Sequence, residues 1–80
     1  MISLDRLKRM TGRLVELRYK DGHCVLARII FVNADDPPEI LYDVVRVVAR
    51  GPERWDAVRE GVAAAASPHE LADVVDSPSD

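Results

Sequence analysis

The chain has a single cysteine, Cys24, so no disulfide can close within it. A reducing, cytoplasmic setting is therefore the expectation. Aromatic residues are scarce: Trp55, Tyr19, Tyr42 and Phe31 make up 5% of the chain, and Val, Leu, Ile and Ala must fill the core. No apolar run approaches the ~18 residues of a membrane-spanning helix. The opening Met1-Ile2-Ser3-Leu4-Asp5 lacks the charged-then-apolar order of a secretory signal. Basic charge is not in excess. The 14 acidic and 11 basic residues give a net charge of −3, which counts against a general affinity for nucleic acid. Gly12, Gly22, Gly51 and Gly61 are isolated, so there is no glycine-rich loop to cradle a phosphate.

What is present reads as one domain over residues 1–76, with 77–80 as a disordered tail. Three strands follow one another at residues 13–19, 24–33 and 40–48. The first alternates: Val15, Leu17 and Tyr19 on one face, Glu16 and Arg18 on the other. In the second, Val25, Ala27, Ile29 and Phe31 form one face, while Leu26, Ile30 and Val32 make the other apolar too. In the third, Ile40, Tyr42, Val44 and Val48 oppose Leu41, Val45 and Val47. Long strands apolar on both faces suit a bent sheet that curls into a small barrel. Lys20-Asp21-Gly22-His23 joins the first pair of strands, and Asp-Gly there predicts a type I′ turn. Asn33 to Glu39, with Pro37-Pro38, is a loop.

Ser3 is placed to cap a short helix over residues 4–10, with Gly12 to end it. Residues 54–66 admit two readings. Trp55, Val58 and Val62 could share a helix face. The preferred alternative is a strand at 55–58, a turn at Arg59-Glu60-Gly61 and a strand at 62–66. Ser67-Pro68-His69-Glu70 has the form of a capping box, which predicts a C-terminal helix over 68–75. The expected fold is mainly β: a small five-stranded antiparallel barrel with a short N-terminal and a short C-terminal helix.

Few residues invite a chemical role. His23 and Cys24 are adjacent, but neighbouring strand side chains diverge, so a Cys–His dyad is not expected and His23 reads as a solvated turn residue. The donors His23, Cys24 and His69 lack metal-ligand spacing, and His69 is expected to face water. Asp35, Asp36 and Glu39 form an acidic loop without the alternation and glycine of a calcium loop. Asp43 either faces inward, paired with Arg28 or Arg46, or faces solvent. No catalytic residue, cofactor, metal, membrane or small-molecule substrate is expected.

The order of elements has a likeness. A short helix, then Gly12-Arg13-Leu14-Val15-Glu16-Leu17, then Lys20-Asp21-Gly22 and a long bent strand resembles the Sm-like branch of the small barrels with Src-homology-3-like topology. The likeness covers residues 3–50. Asn33 and Asp35 lie near the place of that family's RNA-contacting Asp and Asn, in reversed order. Val48-Ala49-Arg50-Gly51 partly matches its Arg-Gly motif. The resemblance implies oligomeric rings and RNA binding, with Asn33, Asp35 and Arg50 near bases. The basic cluster Arg6, Lys8, Arg9 and Arg13 would supply the electrostatic footprint for RNA. Two functions follow as expectations. One is a non-enzymatic interaction module that self-associates as a homo-oligomer or binds a protein partner. The alternative is an Sm-like RNA-binding ring.

Overall fold

The computed structural model describes residues 3–77. A short helix α1 (Leu4–Arg9) leads into five strands: β1 (Leu14–Tyr19), β2 (Cys24–Asn33), β3 (Glu39–Ala49), β4 (Ala63–Ala66) and β5 (Leu71–Asp76). They form one antiparallel sheet in the order β4-β3-β2-β1-β5. Ser3 Oγ accepts the Arg6 N–H at 3.4 Å and caps α1, whose Leu7 is fully buried.

One face of the sheet carries the core. Val15, Leu17, Val25, Ala27, Ile29, Ile40, Tyr42, Val44, Leu71 and Val74 are essentially inaccessible to solvent. Their alternation along each strand is what a half-buried antiparallel sheet requires. The mainly β, five-stranded antiparallel expectation holds, but the sheet does not close into a barrel. β4 and β5 lie at opposite edges and share no pairing. In a flat sheet those edges would stand ~19 Å apart, at about 4.8 Å per strand. Only Ser67–Glu70, including a 3₁₀ turn at Pro68–Glu70, links them. The sheet therefore coils to bring the two edges to one corner, yet its hydrogen bonding stops short of closure.

The β1–β2 connection also departs from the type I′ form. Gly22 alone has positive φ (+95°), and Asp21 does not. Gly22 N–H donates to Tyr19 O at 3.1 Å and Tyr19 N–H to His23 O at 2.8 Å. This is a three-residue loop with glycine in the left-handed position. A bulge at Ile30 shifts the pairing from Ile29–Tyr42 to Phe31–Leu41. It turns Phe31 outward, to 58% exposure, and Val32 inward, so the expected face Val25-Ala27-Ile29-Phe31 breaks at its last member.

The C-terminal helix is absent. Ser67 Oγ accepts the His69 N–H, but only the 3₁₀ turn follows, and Leu71–Asp76 is strand β5. The strand expected at 55–58 and the single helix over 54–66 are both replaced by a 3₁₀ turn, Glu53–Trp55. Arg50 holds that turn, donating to Trp55 O at 2.7 Å and Val58 O at 3.1 Å. The strand expected at 62–66 is present as β4. Ser77 N–H donates to Leu14 O, and the rest of the expected tail lies outside the described residues.

Candidate functional site

Two polar constellations stand out. The first closes the β1–β2 corner. Asp21 Oδ2 accepts from Trp55 Nε1 (2.7 Å) and from Arg54 Nη2 (2.7 Å) and Nε (3.1 Å). Its Oδ1 accepts the His23 N–H at 3.1 Å. The Trp55 bond, followed by Arg54 and the His23 amide, holds the Asp21 carboxyl at about 2, below its ordinary value. Arg54 also pairs with Glu70 and lies over the Trp55 ring at 4.2 Å.

Behind this surface, His23 stacks on Trp55 with centroids 4.2 Å apart and planes 3° from parallel. His23 is fully buried, not solvated as the turn position implied. Gly51 packs so closely that an added Cβ would sit 2.9 Å from His23 Cβ. The Gly51 N–H points to His23 Nδ1 at 3.4 Å, which assigns the proton of the neutral ring to Nε2. That Nε2 has no hydrogen-bond partner among the described residues. Burial, above all, lowers the His23 pKa, and the Arg50 and Arg54 charges add to this against the pull of Asp21. Tyr19 and Tyr42 share a buried hydroxyl hydrogen bond of 2.6 Å beneath the same rings. Burial raises the pKa of both phenols.

The second constellation lies where α1 meets β5. An open groove of about 360 Å³ is lined by Arg6, Arg9, Arg13, Val75 and Asp76, with the buried Met10 and Val74 behind them. Arg6 donates to Val74 O at 2.6 Å and stands 3.8 Å from Asp73; Arg13 stands 3.5 Å from Asp76. Arg9 has no ion pair or hydrogen bond from its side chain among the described residues.

Arg6 also does something to the sheet. The Ser77–Leu14 bond sets the alternation of the β1–β5 ladder, so the Leu17–Val74 pair is a non-hydrogen-bonded one. Val74 N–H and C=O therefore point away from β1. Both are occupied: Arg6 takes the carbonyl, and the Asp73 carboxylate accepts the N–H at 2.8 Å. At the other edge, Val44 N–H donates to Val62 O, which by the same alternation turns the Ala63 and Ala65 backbone groups outward. They are unoccupied among the described residues.

The residues singled out from sequence for RNA do not all meet. Arg6, Arg9 and Arg13 converge on the groove; Lys8, exposed on α1, does not line it. Asn33 Oδ1 accepts the Asp35 N–H at 2.9 Å in the β2–β3 loop, and Arg50 is spent on the Trp55 turn. His69 is exposed. Asp43 faces solvent opposite Arg28. Burial, then Glu16, pushes the Cys24 thiol to about 11, so it stays protonated near neutral pH. No group of ligands that could hold a metal ion occurs among the described residues, nor is any of their helices long and apolar enough to cross a membrane.

The Asp21–Arg54–Trp55 network left no trace in sequence, because its members are 33 and 34 residues apart. The basic cluster before β1 did signal the groove, although the β5 wall was hidden inside an expected helix. No family model, curated protein or solved structure matches the chain.

Proposed function

We propose that this protein is a non-enzymatic interaction module that works by binding other protein chains, a second copy of itself first. The observation that supports it most directly is an apolar row on the outer face of the sheet. Phe31 pairs with Leu41, and Leu41 with Ala65, across three neighbouring strands. Phe31 is 58% exposed, Leu41 38% and the adjacent Ile30 43%. An exposed apolar row of this kind supports a seat for another protein. The unoccupied backbone groups of β4 lie beside it and add a means of strand addition. Neither feature helps the isolated chain fold.

Light scattering coupled to size-exclusion chromatography tests this reading. Association that strengthens with concentration supports it, as does its loss in Phe31→Asp. A strict monomer at high micromolar concentration removes the self-associating form.

A second reading, Sm-like RNA binding, is favoured by one observation: three arginines line a single groove. Phosphate contacts would make such binding fall steeply with salt. No salt-dependent shift with oligo-U or oligo-A at low ionic strength would remove it.

A further inference from the structure

We infer that the arginine-rimmed groove between α1 and β5 receives the acidic tip of the β2–β3 hairpin from a second copy of this chain. This rests on the self-association proposed above and names its contact.

The groove offers charge that is loosely held. Arg13 reaches Asp76 only at 3.5 Å, in a pair that is about half exposed, and Arg9 has no carboxylate at all; Arg6, anchored on Val74 O, stands 3.8 Å from Asp73. Exposed pairs of this kind contribute ~0–1 kcal/mol and exchange readily. The groove can therefore accept one or two incoming carboxylates.

The tip offers the complement. Asp35, Asp36 and Glu39 are exposed, and no cation pairs with them among the described residues. The hairpin also reaches beyond β1, while β4 flanks its other side. β1 begins opposite Arg28, so the last five residues of β2, Ile29 to Asn33, run past it. Ile30 and Phe31 stand exposed on that overhang, just before the acidic residues. Carboxylate on the tip thus matches guanidinium in the groove, with Ile30 and Phe31 beside the one and the partly exposed Val75 beside the other. The tip does not fill its own chain's groove, since none of the three arginines pairs with it.

A nucleic acid fits this groove less well. Sites for single strands combine cations with aromatic rings on which bases stack, and the groove lining contains no ring. Asp73 and Asp76 at its edge would repel a phosphate at every step along a backbone, whereas two or three carboxylates on a loop can be placed to avoid them. Addition of a strand at this edge is also obstructed, because the outward groups of Val74 are already taken.

The test uses the intact chain and two charge-reversed forms. Arg9→Glu with Arg13→Glu disables the groove, and Asp35→Lys with Asp36→Lys disables the tip. All four positions are exposed, and a thermal melt of each form is the check that it folds. At ~50 mM salt, where screening is weak, the wild type is expected to associate, and each form alone to weaken by about tenfold or more. An equimolar mixture of the two forms is expected to associate again, because each supplies the half the other lacks. If the wild type associates but neither form is weakened, or the mixture stays apart, the groove–tip contact is overturned and self-association stands. If the wild type is monomeric at high micromolar concentration, both fall together. If oligo-U binds a monomeric wild type and the groove form loses that binding, the groove belongs to RNA and the inference is overturned.

Discussion

Two places in this molecule set guanidinium groups beside carboxylates, and they differ in how completely those groups are used. At the β1–β2 corner, Asp21 receives four donated hydrogens from three residues, and Arg54 is shared between Asp21, Glu70 and the Trp55 ring. At the α1–β5 groove, the nearest ion pairs are 3.5 and 3.8 Å long, and Arg9 is unengaged among the described residues. The corner lies over buried rings, where its guanidinium and carboxylate groups are fully paired although His23 Nε2 beneath them has no partner among the described residues. The groove itself is open to water, where loose pairing does little harm. Polar groups that complete a core indicate structure. Polar groups left partly unspent at a concave surface are the ones the proposed contact would use.

The comparison breaks if the corner proves tolerant. Trp55→Ala removes the His23 stack, the hydrogen bond to Asp21 and the cover over Tyr19. It is expected to destabilise by ~3–5 kcal/mol, read as a drop in the urea midpoint. Gly51→Ala comes next. Its new Cβ would meet His23 Cβ at 2.9 Å and His23 N at 3.0 Å, so either the turn or the ring must move. A loss of ~1–3 kcal/mol is expected, as for other overpacked sites. An unchanged midpoint in either variant would show that the corner is not the closed unit described here.

The corner also makes stability depend on pH. His23 has a lowered pKa in the folded chain against ~6.5 when unfolded. As pH falls below that unfolded value, the unfolded chain takes up a proton that the folded chain resists. Stability from this residue is full above about 6.5 and is lost as pH falls through the folded value. Asp21 acts lower on the scale. Its contribution is complete above its ordinary value of 3.8 and disappears as pH falls toward about 2. Urea midpoints should therefore begin to drop below pH 6.5. The same series in His23→Gln should be flat until the carboxylates titrate. A decline in that variant matching the wild type would assign the upper step to another group.

The corner was almost invisible in sequence, while the centre of the sheet was plain. Residues 24–33 matched β2 in full because a long run of β-branched and aliphatic residues follows an Asp-Gly turn. β5 was misread for a particular reason. Arg18 pairs with Asp73 and Tyr19 with Leu71, so Ala72 is an extra residue. That bulge turns both Leu71 and Val74 inward, and a spacing of three mimics the helix period. The Ile30 bulge does the same to Ile29 and Val32, which is why Phe31 was placed on the wrong face. His23 was misjudged because its burial depends on Trp55, whose position in turn depends on the clamp by Arg50 and the acceptor Asp21. Contacts at such sequence separation leave no local pattern.

The smallest expected effect is the one that sharpens the contrast most. Arg9→Gln removes a charge from the groove while keeping a side chain of similar length in a good helix former. Arg9 holds nothing among the described residues, so chemical stability should change by less than ~0.5 kcal/mol, within the range of ordinary surface substitutions. Association should nonetheless weaken, because the free guanidinium is the one able to take a carboxylate without first giving one up. A variant that leaves the melt unchanged and the mass distribution shifted separates the two roles in one protein sample. If Arg9→Gln instead lowers the urea midpoint as far as Gly51→Ala does, the groove is part of the fold's own support, and the distinction between spent and unspent charge fails.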